Sequence, residues 1–292
     1  MTDFPIESQV AAARVISVPR RMFWAVRREL WESRSIYLAP LFVAAFFAFG
    51  FLISAFAHPE PTPGGFEKPF DFAAFAIMGA TFLVSVFYCL DALYGERRDR
   101  SILFWKSLPV SDLTTVLSKA SIPLVVLPLL TWAITIVTQA IMVLISTAAL
   151  IGSGRSAATL WSGVPWFQMS SGLLYHLIAI HSLYYAPIFG WLLLVSAWAK
   201  RATFLWAALP IFAIGVVEKI AFNTSHFGAM LANRMSGGAQ GAVYTANGGM
   251  SMPMTEEGPL QFLVSPGLWI GLAITAAFLG IAVWLRRNRE PI

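Results

Sequence analysis

The chain has 292 residues, 58% of them hydrophobic and 12% charged, with a formal net charge of +5 at pH 7. Soluble domains carry roughly 25% charged residues, so the polar surface is too small to coat a water-soluble globule, and an all-α integral membrane protein is expected. The single cysteine, Cys89, excludes an intrachain disulfide and a cysteine-based metal site.

The first 35 residues hold no uninterrupted apolar core and carry six arginines, so no cleavable signal peptide is expected. Residues 14–34 have an amphipathic pattern instead. At about 100° per residue, Arg20, Arg21, Arg27, Arg28 and Arg34 share an arc with Trp24 and Trp31, and Met22, Phe23, Val26 and Leu30 fill the opposite arc. This predicts a helix lying in the membrane interface, its arginine stems reaching for head groups. The alternative is a soluble amphipathic helix packed on a partner.

Six apolar runs follow, at 36–57, 72–94, 118–151, 172–199, 203–222 and 267–285. About 20 helical residues cross a hydrocarbon core of roughly 30 Å, so each run can span. The third is much longer and must tilt or extend past the bilayer. Pro123 and Pro128 predict a bend near its start.

Lysine and arginine set the direction of insertion. One side collects the N-terminal arginines, Arg97, Arg98, Arg100, Lys106 and Lys119 after the second run, Lys200 and Arg201 after the fourth, and Arg286, Arg287 and Arg289 in the tail. That makes sixteen, against Lys68, Arg155 and Arg234 on the other side, with Lys219 uncounted. Both termini are therefore expected to be cytoplasmic. The positive charge reads as topology, and no nucleic-acid partner is expected.

The loop at 95–111, GERRDRSILFWKSLPVS, lies between the second and third runs on the cytoplasmic side. Glu96, Arg97, Arg98, Asp99 and Arg100 mix both signs. Ile102 to Trp105 form an apolar block, and Ser111 is placed to cap the helix entering the third run. A short element with charged and aromatic faces suits a groove on a soluble partner. A basic loop that only sets topology explains the arginines but not Glu96, Asp99 and Leu-Pro-Val-Ser together.

This stretch resembles the permease subunits of type-two ATP-binding-cassette (ABC) exporters. There a Glu-Arg pair follows the second of six spans, a short apolar run leads to Leu-Pro-Val-Ser, and a lysine opens the third span. Here the matching residues are Glu96 and Arg97, Ile102 to Trp105, Leu108 to Ser111, and Lys119. The chain departs from the pattern at Arg100-Ser101, where many members carry Gly-Thr and glycine allows a tight turn. In architecture the resemblance covers most of the chain; in motif it covers only the stretch from Glu96 to Lys119.

The resemblance implies that 95–111 is the coupling loop, with Glu96, Arg97, Asp99, Phe104, Trp105, Leu108 and Pro109 seating it in an ATPase. No GxxxxGK[ST] phosphate loop occurs in the chain. The chain is therefore expected to be no enzyme and to bind no cofactor, with ATP and Mg2+ held by two copies of a partner ATPase. A second permease copy, most simply in a homodimer, is expected to complete the pore in the cytoplasmic (inner) membrane of a bacterium.

No HExxH, serine elbow or paired carboxylates suggest catalysis. His176 and His181 lie about 140° apart around a helix, which argues against a two-histidine metal site. His181 and Glu218 are the candidates for a translocation path or gate, because charged and polar groups within spans are costly and face protein or water. For Glu218 the alternative is an interfacial carboxylate bonded to a neighbouring helix end. The external loop at 223–266 predicts one or two short helices, re-entrant in the family, before a glycine-rich stretch.

The function expected first is a permease that moves an amphipathic or hydrophobic substrate by alternating access. The alternatives are a regulatory or sensing subunit of an ABC complex without flux, and an ATP-independent transporter. No inverted repeat is apparent between the halves, which disfavours many secondary-transporter plans.

Overall fold

The computed structural model describes residues 17–57, 67–102, 104, 110–154, 156, 158, 161, 166–235 and 265–288. Among them all regular structure is helical. Trp105, Leu108, Pro109 and the greater part of the 223–266 loop lie outside the described residues.

Helix α1, Val18–Glu32, starts with Pro19 in its first turn, where the missing N–H leaves no bond unmade. It meets α2, Ser35–Ala57, almost at once. Helix α3, Glu67–Ala92, continues after a turn at Leu93 into the short α4, Tyr94–Arg98. The N–H groups of Leu93 and Tyr94 at that turn donate to Ser196 Oγ at 3.0 and 2.9 Å.

Ser111 sits at the N-cap of α5, Asp112–Ser121, and its hydroxyl accepts from the Thr114 N–H at 3.1 Å. A π-helical turn, Ile122–Val126, absorbs Pro123, and α6, Leu127–Gly152, follows with Pro128 in its first turn. The whole stretch runs 41 residues, about 60 Å at the helical rise. That is about twice the hydrocarbon thickness, so this helix projects beyond a bilayer.

The fourth apolar run is not a single straight helix. Helix α7, Trp166–His176, passes into a π-helical segment, Leu177–Tyr184, and then α8, Ala186–Trp198, leaves at 46°. Pro187 explains the break: it lacks an N–H, and its ring crowds the carbonyl four residues back. The Tyr185 N–H reaches instead to the Ile180 carbonyl at 3.0 Å.

Helix α9, Thr203–Phe222, starts and ends on left-handed residues, Ala202 and Asn223. Helix α10, His226–Met235, is the one described helix of the 223–266 loop, and α11, Pro266–Asn288, follows. Among the described residues five helical stretches are long and apolar enough to cross a membrane, and the bent α7–α8 pair makes a sixth if counted as one span.

Helix α8 forms the centre and packs chiefly on α11 and α3, while α2 packs on α3 and α6. Gly190 lets α8 approach α11 closely, because a Cβ there would lie 3.3 Å from a Thr275 methyl. Phe189, Ile36, Leu127 and Leu193 are fully buried in this core. Outside it, α2 and α9 expose Phe42, Phe46, Phe212 and Ile220. In water such faces would be a liability; in acyl chains they are the solvated surface.

Helix α1 differs from the sequence-based expectation at two positions. The arc pattern puts Phe23 with Val26 and Leu30, yet it is 61% exposed beside Trp24 and Trp31; it puts Arg28 among the arginines that reach for head groups, yet Arg28 turns to Glu29 and Glu96. The face turned inward carries Val26 and Leu30, packed on the core, and Glu29.

Candidate functional site: a buried charge cluster at the basic end

Glu29 is only 2% exposed and sits at the centre of a charge cluster. Lys119 Nζ, from the end of α5, lies 3.0 and 3.1 Å from the two Glu29 carboxylate oxygens. The same ammonium lies 3.1 Å from Glu96 Oε1, on α4. Arg286, near the end of α11, donates through Nη1 to the other Glu96 oxygen and through Nε to Asp112 Oδ1 at 3.0 Å. Arg28 closes the outer side, with Nη2 at 2.7 Å from Glu29 and 3.5 Å from Glu96. The Tyr88 hydroxyl, on α3, donates to Glu29 Oε2 at 2.9 Å.

Three carboxylates, Glu29, Glu96 and Asp112, thus face three cations, Arg28, Lys119 and Arg286. Balance is what makes the arrangement tolerable. An ion taken out of water loses several kcal/mol of hydration, which only close partners offset. At Glu29, burial pushes the carboxyl pKa up, but Lys119 and Arg28 outweigh it and hold the group below its ordinary value. Burial also lowers Arg28, and Glu29, Glu32 and Glu96 more than compensate, so the guanidinium is held more firmly protonated.

The cluster ties together α1, α3, α4, α5 and α11. It also fixes the direction of Glu96 in the 95–111 loop. Glu96 is buried at 8% exposure and faces inward. Arg97, 4% exposed, donates through Nη2 to the carbonyls of Ser196 and Ala199 at 2.9 and 2.5 Å. These carbonyls end α8, where a cation also suits the helix dipole. Neither side chain is exposed. Asp99 and Phe104 are, Phe104 at 60%. Arg98 runs along the same surface, 2.9 Å from Asp99 and 3.9 Å from Asp91.

Arg100 follows α4 on a left-handed backbone. Its φ is 56°, in the left-handed region, a conformation that costs a residue with a side chain some strain. The Ser101 hydroxyl donates to the Glu96 carbonyl at 3.4 Å.

The two gate candidates lie far from this cluster in the chain and in different surroundings. His181 is 3% exposed, boxed by the rings of Phe82, Tyr185 and Phe189, and its Nε2 has no hydrogen-bond partner among the described residues. Glu218 accepts from the Thr224 hydroxyl at 2.8 Å and from the N–H groups of His226 and Phe227 at 2.6 and 2.9 Å. It therefore caps the N-terminus of α10. Among the described residues no three or more His, Cys, Asp or Glu side chains are placed to hold a metal ion.

At its other end α10 is clamped by Arg234. Its Nε donates to the Tyr184 carbonyl at 3.0 Å, at the break in the fourth run, and its Nη1 to the Gly267 carbonyl at 3.0 Å. The Tyr185 hydroxyl donates to the Met235 carbonyl at 2.7 Å. Gly271 makes room for the guanidinium: a Cβ there would lie 1.7 Å from Arg234 Nη2.

Sequence reasoning missed Glu29, Tyr88, Asp112 and Arg286 as site residues. Glu29 carried a signal: it is an acid on the same arc as Met22 and Val26, opposite the arginines. Arg286 and Asp112 carried none, since they lie 174 residues apart in the chain.

Compared with family models, curated proteins and solved structures, the chain matches none. Fold and composition together define an all-helical, multi-pass membrane protein.

Proposed function

We propose that the chain is the permease subunit of an ABC exporter, moving an amphipathic or hydrophobic substrate across the cytoplasmic membrane while a separate ATPase supplies the energy. The observation that carries this reading is the buried cluster. A loop that only set topology would need no inward carboxylate. Here Glu96 fastens the loop to α1, to the long α5–α6 helix and to α11 at once, so a push on the loop from below moves several helices together. The resemblance over Glu96 to Lys119 supports the same reading.

The structure supports a division of labour within the loop. The exposed Asp99 and Phe104, with Trp105, Leu108 and Pro109 in the same stretch, would dock on the ATPase. Glu96 and Arg97 would transmit, Glu96 through Lys119 and Arg286, Arg97 through the end of α8. Closure of two ATPase copies on ATP would then shift a permease dimer between inward- and outward-open states. A second copy of this chain is the simplest dimer partner.

The test is co-purification. The full chain, isolated from its own host in mild detergent, is expected to bring down Mg2+-dependent ATP hydrolysis. Asp99→Arg with Phe104→Ala should remove that activity, whereas Glu96→Gln should leave capture largely intact. Capture without any ATP hydrolysis would point to an ATP-independent transporter. Hydrolysis that drives structural change without flux of any lipid or peptide would point to a regulatory subunit.

A further inference from the structure

We propose that the outward face of α1 is a binding surface for anionic phospholipid head groups. Two indoles hold one guanidinium there: the Arg27 guanidinium carbon lies 5.1 Å from the Trp24 ring centroid and 4.9 Å from that of Trp31. Stacking of this kind fixes the plane of the group and leaves its edge N–H donors facing outward. Arg20, exposed, and Phe23, edge-on to Trp24 at 5.7 Å, extend the same face, and the exposed Arg34 follows just past the helix end.

Between Val18 and Arg34 the acids are Glu29 and Glu32. Glu29 is buried on the opposite side, and Glu32, 51% exposed on the flank, pairs with Arg28 at 3.5 Å. The face around Arg27 is therefore cationic and aromatic, with Glu32 neutralised beside it by Arg28. The Glu29–Lys119 pair holds the helix in this rotation, so the face cannot turn inward without breaking a buried ion pair.

The occupant follows from position and charge. Helix α1 ends at Glu32, and α2 begins at Ser35 with a segment apolar enough to cross a membrane. The end of α1, one residue past Trp31, thus lies within about one helical turn of the start of that segment. Tryptophan partitions to that depth, and the negative charge found there is lipid phosphate. A planar guanidinium with its edge free matches a phosphodiester through paired hydrogen bonds. This inference does not depend on the transport reading.

Native mass spectrometry of the full chain in neutral detergent, titrated with phosphatidylglycerol or phosphatidylcholine, tests it. Phosphatidylglycerol is expected to bind more tightly, and more weakly as salt rises. Each of Arg20→Gln and Arg27→Gln should weaken it about fivefold, with Lys200→Gln as the unaffected control. Trp24→Ala with Trp31→Ala should also weaken it, since Arg27 loses its fixed plane, and Arg27→Lys should lose less than Arg27→Gln. Unchanged melting in lipid-free micelles separates these effects from misfolding. Equal affinity for the two lipids, or an anionic preference that survives Arg20→Gln combined with Arg27→Gln, overturns the proposal. So does binding of polyglutamate at this face without any lipid preference, which would make it a protein site.

Discussion

Replacing Lys119 with methionine removes the cation that joins Glu29 to Glu96. Lys119 is 2% exposed and makes three contacts of 3.0 to 3.1 Å with the two carboxylates. Methionine keeps most of the volume, so packing loss is small, and the effect isolates charge. Arg28, Arg286 and the Tyr88 hydroxyl remain, but the cluster is left one negative charge in excess. Removing one partner of a buried ion pair costs about 3–5 kcal/mol; with the remaining cations in place, a loss of about 3 kcal/mol is expected. The assay is loss of helicity in mixed micelles of rising SDS content, followed by circular dichroism, with Lys200→Met as an exposed control expected within about 0.5 kcal/mol of wild type. Pairing the change with Glu29→Gln restores neutrality and should recover at least about 1 kcal/mol of the summed single losses. If Lys119→Met behaves like the Lys200 control, or if the double variant is simply additive, the cluster is not held together as described.

Three further outcomes are expected. Arg100→Gly relieves a left-handed φ of 56° and should stabilise the protein by about 1 kcal/mol in the same unfolding assay. Gly271→Ala drives a Cβ against Arg234 Nη2, 1.7 Å away. It should cost about 1–3 kcal/mol, and Arg234→Ala in the same chain should remove most of that penalty. Glu29 has its folded pKa held below the ordinary 4.5. Its contribution is therefore fully present at pH values above that of the unfolded carboxyl and lost as pH falls through the folded value. A melting-temperature titration should be flat from neutral pH to about 5 in this respect and fall below about 4, with Glu29→Gln removing part of that acid limb.

The helices were largely legible because an apolar run long enough to span a bilayer has few alternatives to being a helix. Ser111 was legible as a cap because a hydroxyl in front of an apolar helix has one obvious use. The break at Tyr185 was not, although Pro187 marks it: proline is common in membrane helices, and neighbours decide whether it bends them. At the site, loop position was readable and side-chain direction was not. Glu96 and Asp99 are three residues apart in one polar stretch, yet one is buried among cations and the other faces out. That difference depends on Lys119 and Arg286, which only the folded chain brings to Glu96. Phe23 was misplaced for a similar reason: its angle lies at the edge of both arcs, and packing by Val26 and Leu30 decided the rotation of α1.

The proposed role of the buried cluster is to carry motion from the loop to the spans. It is tested by the distance between spin labels at Ile53 and Ile220, both exposed near the ends of α2 and α9 away from the cluster. The chain is held in complex with its captured ATPase, and Cys89 is replaced by serine. The expected result is a distance that shifts on adding Mg2+ and ATP in the otherwise native chain, and that no longer shifts in Glu96→Gln although the ATPase stays bound and active. A distance indifferent to nucleotide in the native complex, or a Glu96→Gln complex that moves as the native one does, would contradict it.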